Sequence, residues 1–361
     1  MKQAGGRRTM TMKPSLCVIN YNGMRYLRDT LAAASRNAAE LHEILVFDNA
    51  SDDGSPELAE REFAGVKVIR LGENRGPAPA RNAAIEQSAS ERVLIVDNDV
   101  RIEPNCATLL SRALDEHPNA AVAMPSVIYA DKPDTVQYDG ADNHFLGQQI
   151  LHSENRPVAD AGGVRTIGSL ITACFIVDRS RLPHDMRFDE SFFIYFEDHD
   201  FGVRARLFGR DVLSVPEAHC LHAEGTEGLS LRHLGKYSSM RVFCIIRNRW
   251  LFLWSNYSAR TLLLLSPPLL LYEVAQLVMA VKKGWLGEWW RAVRWVAGHR
   301  HEIRSKRLAV QRNRVVADRE IMRGGRLPFR RELIGSPLEA AAQRMLDGVV
   351  VFYWGLVSRV A

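Results

Sequence analysis

The chain has 361 residues, of which 47% are hydrophobic and 25% are charged, with 47 Lys and Arg against 42 Asp and Glu. This composition excludes a disordered chain, a collagen-like repeat and a small disulfide scaffold, and the length indicates about two domains. Five widely spaced cysteines form no CxxC pair, so we expect reduced thiols and no cysteine-based metal cluster. The basic N-terminus lacks an apolar segment, and we predict no secretory signal.

The net charge of +5 conceals an acidic region and a strongly basic one. Residues 14–281 carry 26 basic and 35 acidic side chains, whereas residues 282–331 carry 15 basic and 4 acidic ones. A strongly basic region favours an anionic partner, either a membrane surface or a nucleic acid. A solvated helical face is the alternative that charge alone leaves open.

Short apolar runs alternate with alanine-rich segments of helical length over the first hundred residues. The predicted strands are 16–19, 44–47, 66–69 and 93–96, and the predicted helices are 24–39, 55–64 and 78–89. This alternation predicts an α/β fold with a mostly parallel sheet. Ligands bind such sheets beyond the carboxyl ends of the strands. No GxGxxG motif follows the first strand, which argues against a nicotinamide dinucleotide domain, and the sequence contains no GxxxxGK[ST] P-loop.

Polar residues that suit a nucleotide follow the first two predicted strands. Tyr21 comes after the first strand, and Asp48 and Asn49 come at the end of the second. The side chains of the segment that begins with Asp48 and Asn49 can hydrogen-bond a nucleobase edge and ribose hydroxyls. A turn followed by a helix N-cap at Ser55 is the structural alternative.

A DxD motif, Asp97-Asn98-Asp99, ends the fourth predicted strand. Two carboxylates at this spacing can approach one hard cation, and that cation can bridge a diphosphate leaving group. An Asp-rich turn is again the alternative. His222, which follows a predicted strand at 212–215, is a candidate third metal ligand or a structural histidine.

Two further pairs lie at predicted helix starts. Arg81 and Asn82 are near the start of the third helix, where they would contact an anionic ligand, unless they are only polar residues of a helix surface. A later helix is predicted to begin near Glu197 and to stop at Gly209. One carboxylate of Glu197-Asp198 can act as a general base, and helix capping is the alternative.

The last third of the chain changes character. Residues 262–281 are almost wholly apolar, but Pro267-Pro268 and Glu273 interrupt them. Tryptophan and arginine then alternate over residues 285–304, a composition typical of a helix at a membrane interface. We predict attachment to a membrane surface rather than a membrane-spanning segment or an apolar core, and we expect residues 349–357 to join this surface.

Together these motifs resemble those of family 2 glycosyltransferases of the GT-A fold, over residues 14–225, and in particular bacterial rhamnosyltransferase-type enzymes of cell-surface polysaccharide assembly. The resemblance assigns nucleotide contacts to Tyr21, Asp48 and Asn49. It places Asp97 and Asp99 in the metal and diphosphate motif, with Asp99 favoured as the direct ligand. It makes Asp198 the catalytic base.

We therefore expect an inverting transfer of a sugar from a nucleotide-sugar donor to a glycan or polyprenyl-linked acceptor. The expected metal is Mg²⁺ or Mn²⁺, held by Asp99, Asp97 and His222. The residues expected at the nucleotide sugar are Tyr21, Asp48, Asn49, Arg81, Asn82, Asp97 and Glu197. A catalytic domain over 14–240 would precede a helical, basic region over 241–361, attached peripherally or monotopically to the cytoplasmic face of the membrane, and we expect no nucleic-acid partner.

Two other function classes fit parts of the sequence. A nucleotidyltransferase that forms sugar nucleotides would carry a Gly-rich basic loop after the first strand, and residues 20–23 lack one. A non-catalytic scaffold that binds membrane or nucleic acid through the basic region would not need Asp97, Asp99 and Asp198. Both alternatives therefore leave more of the motifs unexplained than a glycosyltransferase does.

Overall fold

A computed structural model describes residues 11–160, 162–223, 238–328 and 336–359. The basic residues Lys2, Arg7, Arg8, Arg330 and Arg331 lie outside these ranges. The strands are β1 (Ser15–Asn20), β2 (Glu43–Asp48), β3 (Val66–Arg70), β4 (Arg92–Asp97), β5 (Val100–Ile102), β6 (Ala120–Tyr129), β7 (Lys132–Tyr138), β8 (Ala141–His144), β9 (Gln148–Leu151), β10 (Arg165–Ile167), β11 (Cys174–Asp178), β12 (Asp211–His222) and β13 (Met322–Arg323). The α-helices are α1 (Leu27–Arg36), α2 (Ser55–Glu62), α3 (Pro77–Gln87), α4 (Cys106–Glu116), α5 (Glu197–Leu207), α6 (Ser239–Asn256), α7 (Ala259–Leu264), α8 (Ser266–Lys283), α9 (Leu286–Gly298), α10 (Arg300–Asn313), α11 (Asp318–Ile321) and α12 (Pro337–Val357).

The main sheet follows the order β10-β12-β6-β11-β4-β1-β2-β3. Strands β4, β1, β2 and β3 are parallel neighbours, which confirms the βαβ units predicted for the first hundred residues. Beyond β4 the sheet is mixed, because β11 runs antiparallel to both β4 and β6. A separate small sheet joins β13, β8 and β9.

The burial of strand β1 explains why its sequence contains a continuous apolar run. All six of its residues are buried, since helices cover both faces of a doubly wound sheet. Asn20, its last residue, pairs in register with Asp48 at the end of β2, and Ile19 pairs with Asp97 at the end of β4. The polar ends of three strands therefore meet at one edge of the sheet.

Helix α6 joins the C-terminal helices to this sheet domain by packing against α9 and α10. Pro267 and Pro268 lie in the first turn of α8, so the predicted interruption of the apolar run is the break between α7 and α8. Glu273 of α8 forms an ion pair with the fully buried Arg249 of α6. Within the described ranges, no helix combines the length and the apolar character that crossing a membrane requires.

The tryptophans of α9 and its flanks occupy different places from those expected of an interfacial helix. Trp285 and Trp289 are partly buried against a cluster that includes Val242 and Ile246 of α6. Trp295 packs against the larger C-terminal core, while Trp290 is 52% exposed. The sequence pattern did not distinguish these cases, because it does not show that α9 packs along α6.

Candidate active site

The nucleotide side of the candidate site is built on buried amides and carboxylates at the ends of β1 and β2. The Nδ2 of Asn20 donates to Asp48 Oδ1 at 2.7 Å, and Ser51 Oγ donates to the same oxygen at 2.6 Å. Asn49 Nδ2 donates to Asn74 Oδ1 and to the Gly76 carbonyl, both at 2.9 Å. These bonds hold the side chains of Asp48 and Asn49 in fixed orientations, and the two residues form one wall of the candidate site.

Two features of this part of the site are relevant to ligand binding. The buried Oδ1 of Asn49 has no hydrogen-bond partner among the described residues. Buried polar atoms are normally paired, so an unpaired acceptor at a site edge is consistent with a ligand donor. Tyr21 is 41% exposed at the rim, where its ring is accessible to a base.

Arg81 of α3 connects the DxD motif with the Glu-Asp pair. Its Nη1 donates to Glu197 Oε1 at 2.9 Å and its Nη2 donates to Asp97 Oδ1 at 3.2 Å. Three carboxylates, those of Asp97, Glu197 and Asp198, act electrostatically on this one guanidinium. The sequence predicted that Arg81 would contact an anionic ligand. The structure places it between two acids of the protein, which brings the DxD and Glu-Asp motifs together.

Asp198 has the electrostatic environment of a proton acceptor. Burial and the neighbouring charge of Glu197 raise the pKa of Asp198 to about 7, although Arg81 and the backbone N–H of His199 act in the opposite direction. A carboxylate with a pKa near the working pH is an efficient general base. Burial and the charge of Asp99 likewise raise the pKa of Asp97 to about 6, against the lowering effect of Arg81.

Asp99 and His222 face each other with the chemistry of a partial metal site. His222 Nδ1 lies 2.9 Å from Gln137 Oε1, and because an amide oxygen only accepts, the ring donates from Nδ1. The other ring nitrogen, Nε2, lies 3.5 Å from Asp99 Oδ2. Among the described residues, no three His, Cys, Asp or Glu side chains converge on one point, and Asp97 is engaged with Arg81 instead.

This donor pair fits Mg²⁺ or Mn²⁺ bound together with a diphosphate. Magnesium is usually held by one or two carboxylates plus substrate phosphates rather than by a complete protein cage. The buried Oε2 of Glu197 lacks a hydrogen-bond partner among the described residues, and the local excess of carboxylates over Arg81 also favours a cation.

Residues 15–182, just under half of the chain, match the family model described as Glycosyl transferase family 2. This segment forms a family 2 glycosyltransferase domain. It contains β1 to β4 with Asp48, Asp97 and Asp99, whereas Asp198 and His222 follow it in the chain.

Two relatives agree with this identification, and a solved structure shares the fold. The chain is 26% identical over 246 residues to the N-acetylglucosaminyl-diphospho-decaprenol L-rhamnosyltransferase of Mycobacterium tuberculosis, covering 59% of this chain and 76% of that protein. It is 25% identical over 220 residues to the dTDP-rhamnosyl transferase RfbF of Shigella flexneri, covering 59% and 71%. The crystal structure of GalNAc-T7 with UDP, GalNAc and Mn²⁺ matches with a TM-score of 0.54 at 14% identity, over 70% of this chain and 49% of that one. The chain thus spans about half of that solved chain, and this likeness shows a GT-A fold.

Asn82 has different hydrogen-bond partners from its neighbour Arg81. Asn82 Oδ1 accepts from the Phe188 backbone N–H at 2.8 Å, and its Nδ2 donates to the Phe188 carbonyl at 3.0 Å. Both ends of this buried amide therefore bind the segment that leads to Glu197-Asp198. Asn82 thus supports the acidic pair through the backbone of Phe188.

Three residues of the glycosyltransferase site were missed by sequence reasoning. Asn20 bonds Asp48 and also accepts from Asn98 Nδ2 at 3.0 Å, and its place at the end of a buried strand was a usable signal. Gln137 orients His222 from β7, and no motif marks it. Asn248 reaches the site from α6, outside the region of resemblance.

Proposed function

We propose that this glycosyltransferase transfers a sugar from a nucleotide sugar to a glycan or polyprenyl-linked acceptor, with inversion and with a divalent cation, in cell-surface polysaccharide assembly. The observation that carries the proposal is the bridge that Arg81 makes between Asp97 and Glu197. It joins the edge where a nucleotide would bind to Glu197, whose neighbour Asp198 has a pKa of about 7. The relatives named as rhamnosyltransferases make dTDP-rhamnose the first donor to test.

The nucleotide would lie over the ends of β1 and β2. Asp48 is suited to accept an N–H of the base, since its carboxylate is already oriented by Asn20 and Ser51. Asn49 Oδ1 is a second acceptor, and the exposed ring of Tyr21 can cover one face of the base.

The chemical step needs a base, and Asp198 supplies it. Its carboxylate takes the proton of the acceptor hydroxyl, and the hydroxyl oxygen forms a bond to the anomeric carbon. The bond from that carbon to the diphosphate breaks on the opposite face, so the configuration inverts. Arg81 holds Glu197 and Asp97 while this happens, and both are fixed by direct ion pairs. A cation bound through Asp99 and His222 would neutralise charge on the leaving diphosphate.

A donor panel tests this proposal. Purified protein is incubated with dTDP-rhamnose, UDP-sugars and GDP-sugars, with Mg²⁺, Mn²⁺ or EDTA, and with a polyprenyl-diphosphate-linked acceptor. We expect one donor to be consumed in a metal-dependent manner, with inverted product configuration by NMR.

Asp198→Asn should abolish transfer and keep nucleotide binding, whereas Asp52→Asn, at an exposed acid of the same edge, should keep transfer. Substantial transfer by Asp198→Asn would remove Asp198 from the base role.

The C-terminal helices support the proposed membrane attachment through two apolar faces. On α8 one exposed apolar face recurs every three or four positions, at Leu270, Val274, Val278 and Val281, with Leu271 exposed beside it. On α12 the corresponding face carries Leu338, Met345, Val349, Phe352 and Leu356. Tyr353 Oη donates to the Leu264 carbonyl at 2.5 Å, so α12 lies beside the α7–α8 turn. Exposed apolar area on adjacent helices is typical of an interaction site, and the nearby Lys282 and Lys283 favour anionic lipid.

Vesicle co-sedimentation tests this attachment. The protein should bind vesicles that contain phosphatidylglycerol and bind phosphatidylcholine vesicles weakly. The double variant Val274→Asp and Phe352→Asp should lose most binding, because each places a charge in the apolar face. Val315→Asp is the control, since Val315 is 74% exposed outside both faces. Equal binding by all three proteins would exclude α8 and α12 as the contact.

A further inference from the structure

The backbone just before the Glu-Asp pair is strained. Phe193 has φ 63° and ψ −65°, and Ile194 N donates to the Phe192 carbonyl at 2.8 Å. This is a γ-turn with positive φ at its centre, the rarer and more strained of the two forms. Tyr195 and Phe196 follow with φ of 66° and 71°. Three of the four residues before Glu197 thus take left-handed conformations that residues with a Cβ disfavour.

Two side chains of α6 bind this segment from the C-terminal side. Asn248 Nδ2 lies within hydrogen-bond distance of three carbonyl oxygens, those of Phe192 at 3.0 Å, Ile194 at 2.8 Å and Tyr195 at 2.6 Å. Arg247 Nη2 donates to the Phe192 carbonyl at 2.5 Å, and its Nε donates to Asn248 Oδ1 at 2.7 Å. Because Asn248 is completely buried, its amide is paired with this segment rather than with water.

The Gly76 backbone, on the side of the site proposed to bind the nucleotide, packs against the same segment. A Cβ on Gly76 would lie 1.9 Å from the Phe193 carbonyl oxygen, so the γ-turn is in close contact with the Gly76 backbone. The Gly76 carbonyl in turn accepts from Asn49 Nδ2 at 2.9 Å. The strained segment therefore fills the space between α6 and the wall proposed to bind the nucleotide.

We propose that Arg247 and Asn248 are positioning residues of the transferase, and that they hold residues 192–196 in the conformation that places Asp198 for catalysis. This inference rests on the proposed role of Asp198 as base. Strained backbone persists only where its surroundings compensate for it, and it is concentrated at functional sites. Here the compensating donors come from α6, so the catalytic unit extends past residue 240 into the C-terminal helices.

The test uses the full chain and the donor that the panel identifies. Asn248→Leu keeps the branched side-chain shape but removes its hydrogen-bonding groups, and we expect kcat to fall roughly 10–100-fold while KM for the nucleotide sugar changes less than about 3-fold. Arg247→Lys keeps the charge but cannot reach both partners, and a smaller loss of kcat is expected. Amide hydrogen exchange in the peptide 192–200 should accelerate in Asn248→Leu.

Val242→Ala is the matched control, because Val242 lies on α6 in a cluster with Ile246 and Ala292 that does not include the strained segment. It should lower Tm and leave kcat and the exchange of peptide 192–200 within about 2-fold. If Asn248→Leu does not fold, Arg247→Lys decides: unchanged kcat and exchange in that variant overturn the proposal.

The outcomes separate the two proposals. Transfer by the unaltered protein together with unchanged kcat in both α6 variants overturns the positioning role alone. Absence of transfer by the unaltered protein with every donor overturns the proposed function, and the positioning role with it.

Discussion

Arg81 Nη1 lies 2.9 Å from Glu197 Oε1, and the two side chains are only 4% and 6% exposed. A buried ion pair contributes little in itself, but removing one partner leaves an uncompensated charge in the interior. We therefore expect Arg81→Met to destabilise the fold by about 3–5 kcal/mol in urea unfolding. Adding Glu197→Gln to that variant should recover part of the loss. Additive losses in the double variant would contradict the coupling.

The rate should depend on pH through Asp198. Its pKa is raised to about 7, so the carboxylate that accepts the proton becomes populated as the pH rises through that value. Under first-order conditions kcat/KM should increase tenfold per pH unit below about 6 and level off above about 8. Initial rates from pH 5.5 to 9 measure this. A rate that stays constant between pH 5.5 and 7 would argue against Asp198 as the base.

The same raised pKa predicts that Asp198 costs stability. The unfolded chain holds this carboxyl near its ordinary value of 3.8, whereas the folded protein holds it near 7. Ionisation therefore favours the unfolded state progressively between those two pH values. Asp198→Asn should raise Tm by roughly 2–5 °C at pH 8, and the gain should shrink as the pH falls towards 4. Asp52→Asn, at an exposed acid, should show no such trend in the same calorimetric series.

Metal affinity should depend on His222. His222→Ala removes one of two facing donors, and Mn²⁺ binding in the presence of dTDP should weaken roughly 10–100-fold. Electron paramagnetic resonance of free Mn²⁺ reports this without any transfer assay. His219→Ala alters another histidine of the same strand, three positions earlier, and it should bind Mn²⁺ normally. Equal affinity in both variants would assign the metal to other ligands.

Gly76 should tolerate no side chain. Its φ is +87°, and a Cβ would collide with the Phe193 carbonyl. Because that carbonyl is part of the backbone, it cannot move aside as a flexible side chain can. Gly76→Ala should lower kcat roughly 10-fold or more by shifting the segment before Asp198. Gly72→Ala is the control, because its Cβ would meet nothing within 4 Å. Comparable kcat in the two variants would show that the contact is not needed.

Local sequence pattern was sufficient for the first half of the sheet. The apolar runs at 16–19 and 93–96 became β1 and β4, and the acidic helix start at Glu197 became the start of α5. These features depend on periodicity and on short-range capping, which a single sequence displays. The carboxylates at the strand ends followed from the topology of parallel strands.

Contacts between distant residues were beyond that reasoning. Arg81 and Glu197 are 116 positions apart, and Asn248 and Phe192 are 56 apart. No periodicity marks such pairs, so Arg81 was expected to face a ligand rather than two acids. The tryptophans of α9 show the same limit, because composition alone does not determine which face of a helix is covered.

The pair between Glu273 and Arg249 has a consequence for the orientation of α8. An apolar helix has little to prevent it from rolling about its own axis when its neighbours are also apolar. Glu273 is held by Arg249, whose guanidinium also lies 4.1 Å from the centre of the Tyr272 ring. These contacts oppose rotation of α8 about its own axis, and they keep Leu270, Val274 and Val278 exposed. The charge that interrupts the apolar run at 262–281 thus determines which side of α8 a membrane would meet.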